Sequence, residues 1–79
     1  MVYIGIGSNL GNRIENIEKA KYFLNFSGIN IIKSSSYYET LSWPDISKPK
    51  FINIVIQSNT RFTPKKYLEI FQSIEKKTW

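Results

Sequence analysis

Isoleucine at every second position between Phe51 and Gln57 is the feature that most restricts what this chain can become. A period of two puts Ile52, Ile54 and Ile56 on one face of an extended segment, with Phe51, Asn53, Val55 and Gln57 on the other. Such a strand needs an apolar layer against its isoleucine face, and two helical segments can supply it. Asn12 reads as an N-cap with Glu15 three residues on, as in a capping box. Ile14, Ile17, Ala20 and Leu24 follow at helical spacing to about Phe26, and Gly28 closes the segment. Thr63-Pro64 opens a second helix, a hydroxyl cap before a proline whose missing N–H costs nothing there. Tyr67, Leu68, Phe71 and Ile74 are its apolar stripe. The isoleucine face is therefore expected to meet the helices, and the open face to present an aromatic ring beside an amide.

Two further strands are predicted. Val2–Gly7 is short, apolar and β-prone, a candidate central strand. Ile29–Thr40 is the other, despite its polar Ser34-Ser35-Ser36 run. Thr40–Lys50 carries Pro44 and Pro49 without periodicity and reads as a loop, while the strand that starts at Phe51 is expected to reach Arg61. The order is β-α-β-β-α, five of the six elements of a split βαβ unit. The fold class expected is α+β, a ferredoxin-like βαββα fragment: an antiparallel or mixed sheet with two helices on one face and the final strand missing. That architecture wants a strand beside the first one, and without it the first strand is an open apolar edge. Seventy-nine residues make one domain at most, and a small one.

Composition narrows the chemistry. With 79 residues the chain buries only about 60–65% of its unfolded surface, so its core leaves little stability to spare. There is no cysteine and no histidine. Disulfides and thiolate metal sites are excluded, as are the commonest general base and the commonest zinc ligand. The six carboxylates fall into no metal-binding spacing, so no metal site is expected from neighbouring residues. No apolar run approaches the roughly 20 residues a bilayer needs, and no secretion signal is present, so a soluble cytoplasmic protein is the default expectation. Eleven Lys and Arg against six acids leave a net charge of +5. That excess suits an anionic ligand, or simply a solvated surface, since the lysines are scattered.

Three constellations carry possible chemistry. Gly5-Ile6-Gly7-Ser8-Asn9-Leu10-Gly11 invites comparison with phosphate loops. Its third glycine is one residue late for the dinucleotide fingerprint, and Asn12-Arg13 is not the Lys-Ser/Thr of a P-loop. A turn with glycines for close packing stands beside the phosphate reading. Phe51 and Asn53 are the second: the amide complements a heteroaromatic edge and the ring can stack on the same ligand. The plainer reading is an edge aromatic with a satisfied polar neighbour. Nucleic-acid stacking by Tyr37, Tyr38 and Phe51 lacks the basic-aromatic signature of an RNA-reading sheet. Gln72 and Glu75, three apart on the last helix with Leu68 and Trp79 extending the line, border either a cleft or solvent.

Together these segments resemble the hydroxymethyldihydropterin pyrophosphokinase family of folate biosynthesis. The matching pieces are Tyr3–Arg13, Ser36-Tyr37-Tyr38-Glu39-Thr40, Pro49-Lys50-Phe51-Ile52-Asn53, Thr63-Pro64 and Ile74-Glu75, in order and in register along the chain. The resemblance implies pyrophosphoryl transfer from ATP to 6-hydroxymethyl-7,8-dihydropterin, with Mg2+. It implies that Thr40 and the loop after it, with Leu41 and Trp43, would wrap the pterin. Phe51 would stack on its ring and Asn53 would bond its edge. Gln72 and Glu75 would lie at the nucleotide side, and Gly7–Arg13 would shape the site rather than hold phosphate. Where the family commonly has proline and glycine two and four residues after Thr40, this chain has Ser42 and Pro44. Lys48 replaces the usual Gln before Pro49.

The family's second half supplies paired aspartates for two magnesium ions and the residues that grip ATP, and none of these matches a position here. The expectation is thus an N-terminal half, from a shortened or interrupted gene or a cut chain, that keeps pterin recognition and has no catalytic residue or metal ligand of its own. The alternatives are a small binding or assembly module completed by a C-terminal fragment, or a remnant without function. No nucleic-acid or membrane partner is expected.

Overall fold

The computed structural model describes the backbone of residues 1–78 and the side chains of residues 1–76. In chain order the elements are β1 (Val2–Ser8), α1 (Arg13–Phe26), β2 (Ile31–Ser34), β3 (Tyr38–Thr40), β4 (Phe51–Ser58) and α2 (Pro64–Thr78). β4 is the centre of an antiparallel sheet. β1 pairs along its whole length on one side, from Val2 opposite Ser58 to Ser8 opposite Ile52. β2 and β3 share the other side, β2 beside Ile56–Ser58 and β3 beside Phe51–Asn53. This is the split βαβ arrangement, with a late strand inserted between two that are parallel to one another. The α+β class and the two-helix layer expected from the periodicities are what the chain adopts, and the sheet is antiparallel throughout.

The alternation in β4 decides the layers. Ile52, Ile54 and Ile56 are buried together with Ile4 and Ile6 of β1, Ile17, Ala20 and Leu24 of α1, Ile29, and Ile70 and Ile74 of α2. Removing so much branched aliphatic surface from water is what holds so small a fold together. Phe51, Asn53, Val55 and Gln57 occupy the opposite, helix-free face, beside Tyr3, Gly5 and Gly7 of β1.

The helix ends follow their sequence signals. Asn12 accepts a hydrogen bond from the Glu15 amide at 3.1 Å. The Glu15 carboxylate lies 3.7 Å from the Lys19 ammonium, one turn further along the helix. At the other end Gly28 adopts φ +97°, and its N–H donates to Asn25 O while Ile29 N–H donates to Leu24 O. That pair of bonds is a Schellman closure, and a left-handed residue is what it requires. Thr63 caps α2 by accepting from the Lys66 amide at 3.2 Å.

Three expectations are corrected. The single strand over 29–40 is two strands, because Ser35 interrupts the ladder: its hydroxyl accepts from Val55 N–H at 2.9 Å and donates to Ser36 O at 3.0 Å. A serine side chain that bonds neighbouring backbone competes with regular pairing. The strand from Phe51 ends at Ser58 rather than Arg61. Ile14 and Leu68, placed on the apolar stripes, are 48% and 55% exposed. Leu68 borders a groove along the outer edge of β1, which pairs with nothing on that side among the described residues.

Candidate functional site

Three elements converge at the start of β4. The β3–β4 register sets Tyr38 opposite Asn53 and Thr40 opposite Phe51, so all four lie on the helix-free face. On the far side of β4, Gly7 of β1 stands opposite Asn53. The Asn53 side-chain amide donates to Thr40 Oγ1 at 2.8 Å and to Tyr38 O at 3.3 Å. Its oxygen rests above Gly7: a Cβ there would sit 2.6 Å from Asn53 Oδ1 and 3.4 Å from Phe51 Cδ1. Gly7 is therefore a cradle, and its lack of a side chain is what lets the amide and the ring lie against the sheet. Thr40, Phe51 and Asn53 are thus brought together, with Phe51 and Asn53 half-buried and Thr40 exposed.

The 41–50 loop frames this cluster. Leu41 and Trp43 follow Thr40 and are 57% and 85% exposed, and the Trp43–Pro44 peptide is cis. Between them Ser42 turns inward and is buried. Its hydroxyl donates to Pro49 O, closing the loop on itself, and accepts from Asn9 Nδ2 at 3.4 Å. Arg13 ties the far end by donating to Lys50 O at 2.8 Å and lying 3.3 Å from the Glu39 carboxylate. The exposed Asp45 holds its carboxyl below the usual range because Ser47 donates to it from both hydroxyl and amide.

Sequence reasoning did not single out Ser42, Asn9 or Arg13 as the residues that hold the loop. Ser42 and Asn9 carry no signal that would distinguish them from solvated polar residues. Arg13 is the second residue of the glycine-rich turn's exit and the only cation before Lys19. That position could have pointed to a structural tie.

Gln72 and Glu75 lie elsewhere. Both are exposed on α2, in the helical layer, away from the face that holds Phe51 and Asn53. Glu75 borders a cavity of about 280 Å³ lined by Ile4–Gly7, Ala20, Leu24, Phe71 and Ile74, whereas Gln72 does not. Gly7 is thus shared between that cavity and the asparagine cradle. The extension of this line to Trp79 falls outside the described residues. Among the described residues no group of three or more His, Cys, Asp or Glu comes together. No helix among them is long and apolar enough to cross a membrane.

Comparison with known proteins gives this geometry a context. The sequence profile of the 7,8-dihydro-6-hydroxymethylpterin-pyrophosphokinase (HPPK) family matches residues 3–79. The chain is 36% identical over 79 residues to a 2-amino-4-hydroxy-6-hydroxymethyldihydropteridine pyrophosphokinase of Aquifex aeolicus, covering 95% of this chain and 46% of that protein. A protein of the same name from Methylorubrum extorquens is 32% identical over 74 residues, covering 92% of this chain and 47% of its own length. A mitochondrial folate synthesis bifunctional protein of Pisum sativum is 35% identical over 75 residues, 95% of this chain and 15% of the pea protein. The chain therefore spans just under half the length of these bacterial relatives and a much smaller part of the plant one.

Proposed function

We propose, for a chain that belongs to the 7,8-dihydro-6-hydroxymethylpterin-pyrophosphokinase family, that the helix-free face at the start of β4 is the pterin-recognition part of the transferase site. The observation that carries this reading is the placement of the Phe51 ring and the Asn53 amide side by side on the helix-free face, next to a loop tied to Pro49 O and Lys50 O. A flat heterocycle needs such a pair: a ring for its face and a polar group for its edge. Thr40, Leu41 and Trp43 wrap the ligand from the loop, largely through backbone groups, and Gln72 and Glu75 belong to the nucleotide side. The reaction is pyrophosphoryl transfer from ATP to the pterin alcohol, in the cytoplasm.

Phosphoryl transfer depends on positioning and on neutralising charge with metal and with Arg or Lys. Magnesium, when bound, would supply that neutralisation. The residues described here do not fit it, and Arg13 is already committed to Glu39 and Lys50 O. On this reading the metal and triphosphate grip is assigned to residues other than the described ones, and this chain by itself is expected to bind pterin without turning it over. Titrating the full chain with 6-hydroxymethylpterin, followed by quenching of pterin fluorescence, tests the reading. Binding by the chain and its loss in Phe51→Ala and Asn53→Ala, with far-UV circular dichroism unchanged, is the expected result. Equal binding by the variants would overturn it, and pterin-dependent AMP formation above a blank would overturn the assignment of the phosphate grip.

A second reading is favoured by the outer edge of β1, which among the described residues carries unpaired backbone groups beside an apolar groove of about 640 Å³. Such an edge accepts an added strand. On this reading the chain is an assembly module completed by a separate C-terminal polypeptide. Co-expression with the C-terminal half of the Aquifex aeolicus relative should then restore AMP formation, and a completed complex without activity would count against it.

A further inference from the structure

The recognition asparagine has a more specific feature than its presence on the open face. A side-chain amide can lie in two orientations that differ by exchanging its oxygen and nitrogen. Here the orientation is decided by Tyr38 O, which can only accept, 3.3 Å from Asn53 Nδ2. The opposite orientation would set two carbonyl oxygens against each other. Thr40 Oγ1, 2.8 Å from the same nitrogen, takes its second hydrogen. An amide nitrogen has only two hydrogens to give. Both are used inside the protein, and the oxygen is left over the bare Cα of Gly7 with no hydrogen-bond donor on it among the described residues.

We propose that Thr40 and Gly7 are positioning residues that hold the Asn53 amide with its oxygen unbonded over Gly7, so that the site selects a ligand whose ring edge presents an N–H donor there. This rests on the pterin reading above and deepens it. The ligand class is an amino-pyrimidinone edge, with a ring N–H or an exocyclic amine aimed at Asn53 Oδ1. An edge that offers a lone pair or an N-methyl group at that point meets an acceptor and is refused. Gly7 contributes by absence: a methyl group on it would meet Oδ1 at 2.6 Å and displace the amide from the floor of the site. The register places the three residues so that each acts on Asn53 from a different strand or position: Tyr38 directly across, Thr40 diagonally on β3, and Gly7 across on β1.

The test uses the full chain, 15N-labelled, with Thr40→Val, Thr40→Ser, Gly7→Ala and Asn53→Ala variants and 6-hydroxymethylpterin as the probe. Thr40→Val should weaken binding about five- to tenfold, the loss of one neutral hydrogen bond that orients another. Thr40→Ser should restore it. Gly7→Ala should weaken binding with the fold retained. In the ligand-free chain the Asn53 side-chain NH2 resonances should move in Thr40→Val and Gly7→Ala and stay in place in Thr40→Ser. If the chain binds pterin but Thr40→Val and Gly7→Ala leave affinity and resonances unchanged, the positioning role is overturned while the pterin reading stands. If the chain does not bind pterin at all, the pterin reading falls, and the ligand-free resonances alone decide whether the amide is oriented as proposed.

Discussion

The two flanks of the central strand β4 are finished in opposite ways. On the β3 flank, polar groups far apart in sequence are tied to one another: Asn53 to Thr40 and Tyr38, Arg13 to Lys50 and Glu39, Asn9 to Ser42, Ser42 to Pro49. On the β1 flank the outer backbone edge is unpaired among the described residues, and the surface beside it is apolar, formed by Tyr3, Phe62, Tyr67, Leu68 and Phe71. One flank presents oriented hydrogen-bonding groups and suits a small polar ligand. The other presents apolar area and free strand groups and suits polypeptide. The same sheet thus carries a polar flank and an apolar one, and Gly7 touches both the asparagine cradle and the 280 Å³ cavity of the helical side.

The contrast can be broken most forcefully on α2. Ile70 is 6% exposed and Leu68 is 55% exposed, two residues apart on one helix. Ile70→Ala is expected to cost about 2–5 kcal/mol, as buried aliphatic truncations do. Leu68→Ala should cost under about 1 kcal/mol in the chain alone, because its face is not covered. Urea denaturation of both variants measures the gap. Equal costs would mean that the β1–α2 groove is closed in solution, and the distinction between the flanks would go.

A smaller effect is expected on the polar flank. Arg13→Met removes the donor to Lys50 O and should free the end of the 41–50 loop at a cost of about 1 kcal/mol, since the guanidinium is partly exposed. Amide hydrogen exchange should quicken across 41–50 and stay unchanged in β1. Uniform acceleration over the whole chain would show that Arg13 supports the fold rather than the loop.

The smallest concerns pH. Tyr37 donates to the Glu18 carboxylate, and that hydrogen bond, ahead of slight burial and the repulsion of the negative charge, raises the phenol above its ordinary 10.0. A raised folded-state value means the contribution is fully present below the unfolded value and is lost as pH rises through the folded one. Stability should therefore dip slightly above pH 10 in the native chain and lack that component in Tyr37→Phe. Urea midpoints at pH 9 and 11 compare the two, and an identical dip in both would dismiss the Tyr37–Glu18 contact as its source.

Much of the fold was legible because it rests on local pattern. The two-residue period of Ile52, Ile54 and Ile56, the Asn12 and Thr63 caps and the Gly28 closure each act within a few residues. Each appears where its spacing indicates. The break at Ser35 was not legible, since it depends on Val55 lying opposite. The burial of Ser42 was not legible either: a serine between two exposed apolar residues becomes an anchor only once Asn9 and Pro49 O are beside it. At the candidate site, the shared face of Phe51 and Asn53 followed from alternation. Gln72 and Glu75 show the limit of that reasoning, since helical spacing relates them to each other and says nothing of their distance from the sheet's open face.

The amino-acid sequence alone determined the element types, the face each strand turns to the helices, and the family to which the chain belongs. It did so because these follow from periodicity, capping chemistry and similarity along the chain. Tertiary structure alone decided which way the Asn53 amide points, which residues fasten the loop, and which edge of the sheet is left unpaired. Those outcomes depend on strand register, which brings Gly7, Tyr38 and Thr40 around one side chain. No single segment contains the information that they will meet.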